Sequence, residues 1–93
     1  MTETPEDIRR KRILYQARHR GFKEADLLIG GFADAHLAEM SAADLDEFEA
    51  LLMQSDHDLF AWIKGGVSAP DEVQGPVFER LCAFDISKVI FAD

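Results

Sequence analysis

The sequence predicts an all-α fold, a compact bundle of about five helices, on three observations. Apolar residues recur at helical spacing in successive segments, most segments open on a helix-start signal, and no convincing two-residue alternation marks a strand. At 93 residues, a single domain over 1–93 is expected, burying about 60 to 65% of its unfolded surface around one modest core.

Helix one is expected from Pro5 to about His19. Thr4 stands as N-cap, Pro5 takes the first helical position where its missing N–H costs nothing, and Glu6 and Asp7 face the positive end of the helix dipole. Ile13, Leu14 and Ala17 fall on one side, with Arg12, Tyr15 and His19 roughly opposite. Gly21 supplies the break. A second helix follows in Ala25, Leu28, Ile29, Phe32, Ala33, Leu37 and Met40. Gly30 and Gly31 inside it should each cost about 1 kcal/mol relative to alanine, so a close helix contact, or else a kink, is expected to compensate.

Ser41-x-x-Asp44 and Ser55-x-x-Asp58 both match a capping box and start two more helices. The third carries Leu45, Phe48, Leu51 and Leu52 inward. The fourth carries Leu59, Trp62 and Ile63 inward and is stopped by Gly65-Gly66. A loop from Gly66 to Gly75 precedes a fifth helix opened by Pro76, with Val77, Phe78, Leu81 and Cys82 apolar. Val89-Ile90-Phe91 has strand propensity only, and residues 85–93 are expected to form a flexible tail.

Composition narrows the function classes. No apolar run approaches the roughly 18 residues that span a bilayer, so no direct membrane insertion is expected. The N-terminus lacks the apolar core of a secretory signal and is acidic where transit peptides are acid-poor, which leads to the expectation of a cytoplasmic protein. Cys82 is the single cysteine, which rules out an intramolecular disulfide, and its apolar neighbours suggest a small core residue rather than a nucleophile.

The net charge is −8, unevenly spread. Seven of the ten cations (Arg9, Arg10, Lys11, Arg12, Arg18, Arg20 and Lys23) fall in one N-terminal stretch, whereas Glu24 to Ile63 holds ten carboxylates and no Lys or Arg. A basic edge on an acidic body suits the steering of one oriented partner. Nucleic acid is disfavoured, because the acidic body would repel the same polyanion.

No enzyme is expected, and no catalytic residue is assigned. His19, His36 and His57 are far apart without metal-ligand spacing, and Asp56-His57-Asp58 places adjacent side chains about 100° apart around a helix, poor geometry for one ion. Gly30-Gly31 lacks the spacing and preceding strand of a dinucleotide fingerprint, and there is no Walker loop. Arg20-Gly21-x-x-Glu24 has two compatible readings. As a connector, Gly21 takes a left-handed or N-cap conformation and Glu24 faces the helix dipole. As a working surface, a turn without side-chain bulk, flanked by a cation and an acid on rigid helix ends, brings backbone close to a partner.

The run Tyr15, His19-Arg20-Gly21-x-x-Glu24-x-Asp26-Leu27-Leu28-x-Gly30-x-Phe32-Ala33 resembles the Arg-Gly-x-x-Glu region of the small bacterial FAD assembly factors of succinate dehydrogenase, the SdhE or flavinator family. Glu49-x-Leu51-Leu52 and Asp56-x-Asp58-Leu59-x-x-Trp62-Ile63-x-Gly65 are similar to that family's downstream pattern, so the resemblance covers roughly residues 9 to 65. Phe48 stands where the family often has Tyr, and no motif is recognised after Gly66.

The resemblance implies a helical bundle that is a monomer when free. Such a protein binds the flavoprotein subunit of succinate dehydrogenase, and often of fumarate reductase, and promotes covalent attachment of FAD to it. The cofactor belongs to the partner and is not held tightly by this chain. Arg20, Gly21 and Glu24 would carry the interface, with His19 and Asp26 as neighbours, while Asp58, Leu59 and Trp62 would hold the fold. A different class, also found by resemblance, is an antitoxin-like regulatory partner of a small membrane protein with no role in flavin chemistry.

Overall fold

A computed structural model describes residues 3–84 as five α-helices: α1 (Pro5–Arg18), α2 (Lys23–His36), α3 (Ala42–Leu52), α4 (Asp56–Lys64) and α5 (Pro76–Ala83). Short 3₁₀ turns, Leu37–Glu39 and Asp71–Val73, follow α2 and precede α5. No strand occurs among the described residues. Val89-Ile90-Phe91 and the expected tail over 85–93 lie outside them.

The helix starts follow the sequence with one exception. Thr4 Oγ1 accepts from the Asp7 N–H at 3.1 Å while Asp7 accepts from the Thr4 N–H, a full capping box ahead of Pro5. Ser41 and Asp44 form the same reciprocal pair at α3. At α4 the expected box does not form. Ser55 makes no side-chain cap bond and Asp58 faces solvent, so the helix dipole is met instead by the acids Asp56 and Asp58 in the first turn. Gly65 ends α4 in the left-handed region at φ 83°, and the Gly66 N–H closes back on the Ala61 carbonyl at 2.9 Å.

The core is assembled from the predicted stripes. Ile13 and Ala17 of α1, Ala25 to Ala33 at helical spacing on α2, Leu45, Phe48, Leu51 and Leu52 of α3, Leu59 and Ile63 of α4, and Val77, Phe78 and Leu81 of α5 are all buried. Gly30 accounts for itself by close packing, and α2 runs on without interruption. A Cβ there would lie 3.1 Å from Arg18 Cγ and 3.3 Å from its Cα, so the missing side chain sets how closely α1 crosses α2.

Two expectations are corrected. Trp62 is only half-buried at the edge of the core, because its position on the short α4 turns it toward the rim rather than the centre. Cys82 is exposed, one position past the inward face that Leu81 occupies. The α5 stripe therefore runs Val77, Phe78, Leu81 without it.

Candidate functional site: the turn between α1 and α2

Residues His19 to Phe22 turn the chain from the end of α1 into α2, and Phe22, extended at φ −150° and ψ 160°, serves as the N-cap of α2. Gly21 takes neither the left-handed nor the N-cap conformation expected of it: the N-cap is Phe22, and among the described residues only Gly65 has a positive φ. Position 21 is tight for another reason. A Cβ built there would meet Asp56 Oδ2 at 2.7 Å.

Asp56, in the first turn of α4, is the hub; the downstream pattern contains it, but sequence spacing did not connect it with the turn. Its Oδ1 accepts from Arg20 Nε at 2.7 Å and faces Arg20 Nη2 at 2.6 Å, while its Oδ2 accepts from the Gly21 N–H at 2.6 Å. Arg20 also donates from Nη2 to the Leu52 carbonyl at 2.8 Å and from Nη1 to the Gln16 carbonyl at 3.2 Å. Its side chain is only 10% exposed. Arg20 therefore ties together the last turn of α1, the end of α3 and the start of α4. A lysine could not make this forked set of bonds. The Arg20 N–H donates to Asp26 Oδ1, which fixes the turn from the α2 side as well.

The five residues singled out in the sequence thus divide in two. His19, Gly21 and Glu24 are exposed. Arg20 and Asp26 are partly buried and bonded within the chain, so they brace the surface that the other three present. His19 stacks on Tyr15 with ring centroids 4.0 Å apart, and its Nδ1 lies 2.7 Å from the Tyr15 carbonyl, which orients the imidazole at the end of α1. On the other side of Gly21, His57 of α4 stacks on Phe22 at 4.8 Å, and Phe60 meets Phe22 edge to face at 5.2 Å. Position alone did not connect Phe22 or His57 with the motif, since the contact spans helices distant in sequence.

The basic edge is largely neutralised by the molecule itself. Arg9 bonds Asp46 and Glu49, Arg10 faces Glu6 and donates to the Leu37 and Met40 carbonyls, Lys11 pairs with Glu3, Arg12 with Glu49, Arg18 with Asp34 and Arg20 with Asp56. Six of the seven clustered cations thus face carboxylates, and several of those lie on α2 and α3, where the acidic body begins. A helix of positive charge packed on negatively charged neighbours becomes a seam rather than a free patch.

No group of three or more His, Cys, Asp or Glu side chains placed to hold a metal occurs among the described residues.

Residues 11–85 match the family described as flavinator of succinate dehydrogenase. The match runs past Gly66, where no motif had been recognised, and takes in α5. The FAD assembly factor SdhE of Acetobacter pasteurianus is 38% identical over 73 residues, covering 78% of this chain and 67% of that protein. The mitochondrial succinate dehydrogenase assembly factor 2 of Candida glabrata is 47% identical over 57 residues, covering 61% of this chain and 37% of the relative. Its counterpart from Saccharomyces cerevisiae is 43% identical over 61 residues, covering 66% and 38%. The chain spans little more than a third of the length of these mitochondrial relatives, and the similarity reaches both bacterial and mitochondrial proteins.

Proposed function

The chain belongs to the flavinator of succinate dehydrogenase family, and from that premise we propose that it is a non-catalytic assembly factor. It docks on the flavoprotein subunit of succinate dehydrogenase and promotes covalent attachment of FAD to that subunit. The observation that carries this reading is the braced turn. His19, Gly21 and Glu24 stand exposed along a turn and the helix start that follows it, whose shape is fixed from behind by Arg20, Asp26 and Asp56. A surface whose ordering cost is already met within the fold loses less freedom when it binds.

The chemistry then belongs to the partner. A rigid binder can accelerate another protein's own bond-forming step by holding its cofactor, its nucleophile and a mobile segment in a reactive arrangement. FAD is substrate of the assembly step rather than a resident group of this chain. A concavity of about 430 Å³ beside α3 is lined by Glu47 and Glu72 together with Leu51, Gln54, Pro70 and Val73, and its two carboxylates would repel a pyrophosphate. We place the protein in the cytoplasm as a monomer, with the bacterial members of the family, and include the flavoprotein subunit of fumarate reductase among its clients. No helix among the described residues is long and apolar enough to cross a membrane, and the match to the bacterial relative extends over more of this chain than the two mitochondrial ones.

Two measurements test the reading. A tagged chain should capture the flavoprotein subunit from cells; capture of a small membrane protein and no flavoprotein would instead support an antitoxin-like role. Titration of the isolated chain with FAD should give no stoichiometric complex at submicromolar concentration, and such a complex would make this chain a carrier of the cofactor.

A further inference from the structure

On its α4 side the turn is held by a single carboxylate. Asp56 Oδ2 occupies the space a Cβ at position 21 would need, 2.7 Å away, and it is not a freely swinging group. Oδ2 is fixed by the Gly21 N–H at 2.6 Å, and Oδ1 by Arg20 Nε at 2.7 Å. Arg20 is in turn anchored on the Leu52 and Gln16 carbonyls and cannot follow, so retreat of the carboxylate would break the bonds that tie Arg20 and Gly21 to α4. The next residue of α4, His57, lies on the Phe22 ring. One end of one helix therefore seats two consecutive residues of the turn. Gly21 has no positive φ, so its own backbone angles do not demand glycine.

We propose that Asp56 is a positioning residue for the docking surface: its carboxylate, rather than clearance for a partner, is what requires glycine at position 21 and holds Arg20 and Gly21, which lie between the exposed His19 and Glu24, in place. This rests on the docking function proposed above. The carboxylate is suited to the task because it offers acceptors to two donors at once, an arginine and a backbone amide. An asparagine has the same shape but turns its own NH₂ toward one of those donors. Asp58 provides the control. It lies in the same first turn of α4 and carries the same charge at the same helix end, yet it is exposed and makes no bond to the turn.

The test uses the full chain and the purified flavoprotein subunit produced without covalent FAD. Nitrogen-15 resonances of the Gly21 amide and Arg20 Nε report the turn, and subunit affinity reports its use. Asp56→Asn is expected to move both resonances and weaken binding about tenfold or more, whereas Asp58→Asn moves neither and changes affinity less than about twofold. Gly21→Ala should weaken binding when Asp56 is present, but add less than about twofold in an Asp56→Ala background, the non-additivity of two groups competing for one space.

An equal loss from Gly21→Ala in both backgrounds would overturn the proposal, because the glycine would then be demanded by the partner. So would an Asp56→Asn protein with unmoved resonances and unaltered affinity. If Asp56→Ala does not fold, the comparison of Asp56→Asn with Asp58→Asn decides alone. If the wild-type chain does not bind the subunit, the docking function fails by itself. The two resonances then still decide whether Asp56 sets the turn: movement in Asp56→Asn only supports it, and no movement overturns it.

Discussion

Phe32 and Phe48 meet edge to face with ring centroids 5.6 Å apart, both closed to solvent, where α2 faces α3. Phe48→Ala should therefore cost about 3 to 5 kcal/mol, a large part of the stability of a small domain, and Trp62→Ala on the half-buried rim should cost less. Urea melts of the two variants check the order; a larger loss at Trp62 would show that the rim carries the core. Arginines are ranked by burial in the same way. Arg20→Ala strands a carboxylate that is only 23% exposed and should cost about 3 kcal/mol or more. Arg18→Ala breaks a pair that is half-exposed on both sides and should cost less than about 1 kcal/mol. The importance of Arg20 and Gly21 was legible in the sequence, but the reason for it was not, because that reason is a carboxylate on another helix, 36 positions away.

Between elements, two acids at helix starts do what the sequence pattern alone described incompletely. Glu47 of α3 accepts from the Phe78 N–H at 2.9 Å, capping α5 from a neighbouring helix, and Gly75 makes room for it, since a Cβ there would lie 2.6 Å from Glu47 Oε2. Gly75→Ala should lower the melting temperature by pushing this carboxylate off its donor, and a Glu47→Ala background should abolish most of that loss. Equal losses in both backgrounds would refute the arrangement. At α1, the bond from the Thr4 backbone, then the Thr4 side chain, holds the Asp7 carboxyl below its ordinary value. The unfolded chain thus binds that proton more readily, so the box stabilises above the unfolded carboxylate range and is lost as pH falls below about 4 through the folded value. The helix signal of wild type and Asp7→Ala should accordingly differ at pH 7 and converge as pH falls below the ordinary carboxylate range. A gap that widens on acidification would contradict this sign. Start signals at Thr4 and Ser41 were readable because the box is local. Ser55 carries the same pattern and makes no such cap, so the pattern permits the box without compelling it.

For the molecule as a whole, five helical periods and their breaks were enough to specify an all-α bundle, because each stripe is a local property and the stripes close on one core. The charge map was legible only in part. A clustered run of cations suggested a free basic edge, and the fold turns that run onto the acids of its own neighbours, which linear order cannot show. Facing outward at the turn are the backbone of Gly21 and the side chains of His19, Lys23 and Glu24, and under the proposed function this small braced surface serves flavinylation. The most direct measurement is covalent FAD on the flavoprotein subunit, read as in-gel flavin fluorescence in cells lacking their own assembly factor and supplied with wild type or Glu24→Ala at matched levels. Glu24→Ala removes one favourable charge at the start of α2, about 0.3 to 1 kcal/mol, and should leave the melting temperature nearly unchanged. Wild type should restore the fluorescence and the folded Glu24→Ala protein should largely fail to do so, whereas full restoration by Glu24→Ala would reduce the turn to a connector between two helices.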